Sequence, residues 1–241
     1  MKLYLVNADS DYFLSSFYSM TSKETKKMIE HIDRRGQDNF ILDSGAFSLF
    51  SGAKGIDYKF IKKYIDDYCD FVNYYKIKNY VEMDIDKVVG YDEVKKINKY
   101  IISKVGRNPL YVHHTTRTYD DFVSACKSND YIFFGGLVKE KKSKEFINGV
   151  VNEAYRLGTK VHLLGFTPPH LDTIKHLYSC DSSSWSMGGR SGLIFKFKNN
   201  KIASFRLEGK KRVGSYELNK HNLEQWLKYQ QYLKGKGWIT E

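Results

Sequence analysis

Proline and cysteine are both scarce, at three residues each in 241. Cys69, Cys126 and Cys180 are odd in number and lie more than fifty positions apart. That spacing excludes a disulfide framework and a C-x-x-C metal knuckle, and leaves reduced thiols of an intracellular protein. Long apolar runs are missing too, since none approaches the roughly 18 residues that span a bilayer. The first run, Lys2-Leu3-Tyr4-Leu5-Val6, turns polar at Asn7-Ala8-Asp9 and is too short for a signal peptide. The expected location is the cytoplasm, with no membrane partner. No Pro-, Gly- or Ser-rich linker interrupts the chain, so residues 1–241 are expected to form a single domain.

Acidic residues are in the minority, 28 against 39 Lys and Arg, for a net charge of +11 and a pI near 9.3. The excess is uneven: residues 196–241 hold 11 basic and 4 acidic residues, a net +7. A basic segment of this kind attracts phosphates and speeds association with nucleic acid, although a Lys-rich composition alone also produces one.

What is present is alternation. Short β-rich apolar runs stand at Lys2–Val6, Asn39–Leu42, Tyr80–Ile85, Leu110–His113, Tyr131–Phe134 and Lys160–Leu164, then near Leu177–Cys180. Two more, Leu193–Phe197 and Ile202–Leu207, follow. Between them lie amphipathic stretches with helical spacing: Lys23–Arg34, Tyr58–Tyr75, Tyr91–Ser103, Asp120–Ser128, Ser143–Leu157, Pro169–Tyr178 and Asn219–Leu233. Repeated βα units of this length predict an α/β fold, a single TIM-like (β/α)8 barrel, with an open doubly wound sheet as the alternative.

Polar residues gather just after these runs: Asp43-Ser44-Gly45, Asp84 and Asp86, His113-His114, Gly135-Gly136, Gly165 and Cys180-Asp181. Loops at the C-terminal ends of barrel strands converge on one mouth, where active sites sit. Any single Asp there reads as a helix N-cap. Recurrence at several strand ends favours a site.

Four segments carry a resemblance. They are Ile41-Leu42-Asp43-Ser44-Gly45-Ala46-Phe47-Ser48, Phe134-Gly135-Gly136-Leu137-Val138, Leu163-Leu164-Gly165-Phe166-Thr167-Pro168, and Asp181 with Arg190, Gly192 and Phe195. In order and spacing they resemble the guanine transglycosylases, which exchange a guanine base in nucleic acid for a 7-deazaguanine, and the match spans residues 41–195. The resemblance implies a glycosyltransferase that works through a covalent aspartyl-sugar intermediate, with Asp181 as nucleophile and Asp43 as general acid/base. Such chemistry needs two carboxyl groups, one to trap an oxocarbenium-like sugar carbon and one to move the proton between bases. A third acid suits the guanine edge, whose N1–H and N2–H₂ are donors. Asp84 takes that role by position, with Asp86, two residues on and facing the same way in a strand, as the alternative.

Further substrate-binding roles follow from the resemblance. Ser44 belongs to the first segment, and Phe47 either stacks on the base or packs in the core. Gly135, Gly136 and Leu137 lie where backbone meets the base, or make a tight turn. His113 stands where the family has Gln, as Ser48 does. Arg190 holds a phosphate or orients Asp181, while Trp185 and His114 line the mouth or pack. The family's zinc cluster, C-x-C-x-x-C with a distant His, has no counterpart after Cys180. No metal and no cofactor are therefore expected. In this respect the chain is closer to the small phage enzymes, so DNA is the preferred partner, with RNA the alternative and the 7-deazaguanine base as second substrate. Two other readings stand beside it: a non-catalytic basic accessory subunit, and an unrelated barrel enzyme acting on a phosphorylated metabolite.

Overall fold

The computed structural model describes residues 1–50, 57–137, 143–206 and 214–237, with backbone alone at Gly189 and Arg190. Among these residues nine strands run in chain order: β1 (Lys2–Val6), β2 (Phe13–Ser16), β3 (Phe40–Asp43), β4 (Tyr111–His114), β5 (Tyr131–Gly135), β6 (Lys160–Leu163), β7 (Ser179–Ser182), β8 (Leu193–Lys198) and β9 (Lys201–Arg206). The described helices are α1 (Ser22–Arg35), α2 (Ala46–Phe50), α3 (Tyr58–Tyr74), α4 (Asp86–Val89) and α5 (Tyr91–Val105). They continue with α6 (Tyr119–Ser128), α7 (Lys144–Arg156), α8 (Gly188–Ser191) and α9 (Ser215–Leu233). The fold is α/β, with β1 parallel to β7, β2 to β3, β5 to β6 and β6 to β7. No described helix is long and apolar enough to cross a membrane. The chain divides into two compact units, Phe13–Val112 and Met1–Tyr12 with His113–Glu241.

In the first unit β2 and β3 run with Phe13 opposite Phe40 and Ser16 opposite Asp43. Single parallel bridges extend the ladder from Leu42 to Tyr80 and from Val81 to Leu110. Helices α1, α3 and α5 cover an apolar core that includes Phe13, Phe40, Tyr68, Tyr80 and Ile101. The starts of α1 and α3 are capped by side chains: Thr21 accepts from the Glu24 amide, and Asp57 from Lys59. The expected strand Tyr80–Ile85 is cut to its first two residues. Beyond them the Glu82 carboxylate, buried, accepts from the Val112 amide at 3.1 Å and from the Asn98 side chain. A side chain thus takes the amide that a continued ladder would have used, and Asp86 opens a helix rather than repeating Asp84 two places along a strand. Strand β2, not anticipated, is only four residues long and half serine.

The second unit holds the parallel order β1-β7-β6-β5, with Lys2 opposite Ser179, His162 opposite Ser179 on the other side, and Tyr131 opposite Lys160. Helix α6 begins with a capping box in which Thr118 and Asp121 satisfy each other's amides, and Ser143 caps α7. The three cysteines are buried and free.

Two expectations fail here. Pro169–Tyr178 is not a helix but a single 3-10 turn at Leu171–Thr173, and His176 takes a left-handed backbone (φ 64°), which ends helical winding. The runs after residue 192 do not join the parallel strands. They form an antiparallel hairpin, β8 with β9, closed by Asn199 and Asn200 at φ 51° and 64°. Two successive positive-φ residues match the twist of a two-residue hairpin, and Asn tolerates that region. Helix α9 then occupies the backbone of β8. Asn222 accepts from the Phe195 amide at 2.8 Å and donates to the Leu193 carbonyl at 2.9 Å, while Gln225 accepts from Phe197.

Candidate active site

Asp181 is third of four residues in β7 and only 5% exposed. Two N–H donors converge on its Oδ1: the Gly165 amide at 2.6 Å and His162 Nε2 at 3.1 Å. Thr167 Oγ1 donates to the Asp181 carbonyl at 2.9 Å. The third and fourth segments of the resemblance therefore meet at this residue. Among the described residues Asp181 Oδ2 accepts no hydrogen bond. Its neighbour Cys180 is held protonated, because burial first and the Asp181 charge second push the thiol well above its usual range.

The His162 ring is fully buried and continues the network inward. Its Nδ1 lies 2.9 Å from Ser179 Oγ and 3.2 Å from the Tyr131 hydroxyl, and those two oxygens are 2.6 Å apart. The ring stacks on Phe133 with centroids 4.1 Å apart and planes nearly parallel, and Tyr4 lies at 5.7 Å. His162 is a site residue that sequence reasoning missed. Its signal was a histidine inside the apolar run Val161-His162-Leu163, facing the same side of the strand pair as Ser179.

In the same unit Gly135 ends β5 and Gly136 follows with φ 84°. A Cβ at Gly136 would lie 3.1 Å from Thr115 Oγ1, so both backbone conformation and crowding favour glycine there. Leu137 is buried, and Val138 lies outside the described residues. His113 is packed against Phe122 and Phe134. Burial, then the nearby Arg117 and His114 charges, push its pKa down to about 4. His114 is buried, and the Trp185 indole donates to the Val6 carbonyl at 2.9 Å. Arg190 has its backbone in α8, and its side chain lies outside the described residues.

The other unit holds the remaining site residues. Asp43 closes β3, and its Oδ2 accepts from the Gly45 amide at 3.1 Å. Gly45 has φ 68°, and a Cβ there would come within 2.4 Å of Ser16 Oγ and 2.5 Å of Tyr18 Cβ. Glycine is required at that position. The Ser44 side chain is buried, and Tyr64 donates to the Ser44 carbonyl at 2.6 Å. The Tyr64 and Tyr68 hydroxyls are both raised well above the usual phenol range, by burial first and by the Asp43 charge next. Both phenols therefore stay protonated beside that carboxylate. Phe47, on α2, is 44% exposed. The Leu42–Tyr80 bridge brings Asp84 out at the same strand end as Asp43, half-buried, with Asp86 at the start of α4. Within this unit Asp43, Ser44, Phe47, Asp84 and Asp86 share one edge. Asp181, Gly135, Gly136, Leu137 and His113 belong to the other unit.

No family model and no curated protein matches the chain. Among solved structures, one from Aquifex aeolicus VF5, described as a structural study of "Project ID", is similar over 95% of this chain and 91% of its own. The TM-score is 0.53 at 10% sequence identity. That likeness is one of fold alone.

Proposed function

We propose that this protein is a guanine transglycosylase that replaces guanine by a 7-deazaguanine, with DNA as the nucleic acid. The observation that carries the reading is the setting of Asp181: one carboxylate oxygen held by two donors, the other without a hydrogen-bond partner among the described residues. Held in this way, a carboxylate can present its second oxygen to a sugar carbon. Asp181 Oδ2 bonds to the anomeric carbon as the C1′–N9 bond breaks. Its electron pair leaves with guanine, which takes a proton at N9 from a general acid. The incoming 7-deazaguanine gives up its N9 proton, its nitrogen bonds to C1′, and the C1′–O bond electrons return to Asp181. Asp43 is the group that gives and takes that proton. Asp84, with Asp86 as the alternative, accepts from the guanine edge, Phe47 stacks on the base, and Gly136 meets it through backbone. The target nucleotide must be flipped out of a duplex for any of these groups to reach it.

The fold this reading requires is an eight-stranded β/α barrel. It is supported by the parallel pairing within each unit: β2 with β3 and the bridges Leu42–Tyr80 and Val81–Leu110 in one, and the order β1-β7-β6-β5 in the other. Phosphate contacts come from the basic C-terminal portion, where Lys196, Lys198 and Lys201 are exposed on the β8–β9 hairpin. Lys210, Lys211 and Arg212, from the same basic stretch, lie outside the described residues.

The test is direct. Purified protein is incubated with DNA or tRNA bearing labelled guanine and a 7-deazaguanine, and nucleosides are measured by mass spectrometry. Release of label from DNA with incorporation of the deazaguanine is expected. Exchange on tRNA alone moves the substrate to RNA, and no exchange on either removes the activity.

A further inference from the structure

We infer that His162 is the positioning residue for Asp181, held in one tautomer by Ser179 and Tyr131. The inference rests on the transglycosylase reading and names the machinery behind its nucleophile. The donors and acceptors around the ring leave little freedom. For Nε2 to donate to the Asp181 carboxylate, a neutral imidazole must carry its proton there and offer Nδ1 as acceptor. Ser179 supplies the hydroxyl that donates to Nδ1, and it in turn accepts from Tyr131 across 2.6 Å. Burial pushes the Tyr131 phenol well above its usual range, so it remains a donor. Along the run Tyr131–Ser179–His162–Asp181 the phenol then donates, the Ser179 hydroxyl accepts and donates, and each ring nitrogen has a single role.

The arrangement does two things for Asp181. It fixes the carboxylate plane, because Oδ1 is tied at two points, to a strand through His162 and to a loop through Gly165. It also keeps an N–H turned toward that oxygen, because Nδ1 faces the hydroxyls of Ser179 and Tyr131. A ring stacked flat on Phe133 cannot swing away. Plain packing needs a flat buried ring here but not an N–H at Nε2.

The experiment compares wild type with His162→Gln, His162→Asn and His162→Phe, each checked for folding by thermal melting and circular dichroism. Gln places an N–H near the Nε2 position, Asn does not reach it, and Phe keeps only the flat ring. Base exchange should fall about 100-fold in kcat with little change in KM for the Asn and Phe variants, the size expected when a reacting group is misplaced by about 1 Å. His162→Gln should stay within about tenfold of wild type. Nitrogen NMR should find wild-type His162 protonated at Nε2 and bare at Nδ1, a readout independent of turnover. Exchange that is equal in all four proteins overturns the role of His162 and leaves the enzyme assignment standing. Equal loss in the folded Gln, Asn and Phe variants also overturns it, because the N–H would then not matter. Wild type that exchanges no base on DNA or RNA overturns the activity, and this inference with it. If His162→Phe fails to fold, the Gln and Asn pair still decides.

Discussion

Asp181 and Asp43 both stand at the C-terminal ends of parallel strands, yet their surroundings differ in kind. Asp181 is buried, doubly held on one oxygen and backed by a ring, a hydroxyl and a phenol in series. Asp43 is half-buried, and its carboxylate accepts locally, from the amide two residues ahead. Burial with fixed donors suits a group whose oxygen must arrive at a carbon from one direction. Partial access to water suits a group that has to change protonation state twice in a cycle. The difference fits the roles proposed for them, nucleophile for Asp181 and general acid/base for Asp43.

The sharpest way to break that comparison is to remove the charge at each position. Asp181→Asn keeps an acceptor for His162 and Gly165 but has no nucleophilic oxygen. Exchange should drop by about 10⁴-fold or more, as when a member of a catalytic unit is removed. No denaturant-stable adduct with nucleic acid should form, whereas wild type without incoming base should accumulate one on a gel. Exchange by Asp181→Asn within tenfold of wild type would make the buried network structural and move the nucleophile elsewhere, Asp84 or Asp86 being next.

Asp43→Asn should cost less, about 10²- to 10⁴-fold in kcat, the usual reach of general acid–base catalysis. Nucleic-acid affinity should stay near wild type in a fluorescence-anisotropy titration. An equal and complete loss of adduct in both variants would erase the contrast between the two carboxylates.

The β8–β9 hairpin offers a milder test, because its lysines serve neither carboxylate. Charge reversal at Lys196, Lys198 and Lys201 should weaken DNA binding and flatten its salt dependence, by up to about 0.9 in log–log slope for each phosphate no longer neutralised. The melting temperature should hardly move, since all three side chains are exposed. An unchanged salt slope would mean that these charges are only solvated.

The smallest effect tests burial at a second histidine of the Asp181 unit, His113. His113 has a folded pKa of about 4 against an ordinary value near 6.5. The unfolded chain therefore takes up a proton first as pH falls. Its contribution to stability is present above pH 6.5 and is lost as pH falls towards 4. The melting temperature should decline over that window, and less so for His113→Phe, which keeps an aromatic ring against Phe122 and Phe134. Parallel curves for the two proteins would mean that His113 titrates normally.

Much of the fold was legible in the sequence because it depends on local periodicity. Strands β1, β3, β5 and β6, and helices α1, α3, α5 and α7, lie within two residues of the apolar runs that announced them. Three misreadings have physical causes, and two of them share one. The Tyr80–Ile85 run has strand residues, but a buried Glu82 takes over its hydrogen bonding. Leu193–Phe197 has them too, but Asn222 and Gln225 of α9 claim its amides. Pro169–Tyr178 carries apolar residues at helical spacing, yet His176 turns left-handed and stacks on Tyr155. In the first two, side chains distant in sequence decided where backbone donors went. No window of ten residues contains that information.

By itself the sequence determined where parallel strands and amphipathic helices would form, and which acids stand at strand ends, because side-chain periodicity and caps act over a few residues. The turn at Gly136 was legible in the same way, from the glycine pair that follows its strand. Only the tertiary structure decided that His162, seventeen residues before Ser179 and nineteen before Asp181, would bond to both. The pairing of β6 with β7 sets those three side chains at hydrogen-bonding distance. Burial then makes each polar group there depend on its partners, because no water is at hand to replace them.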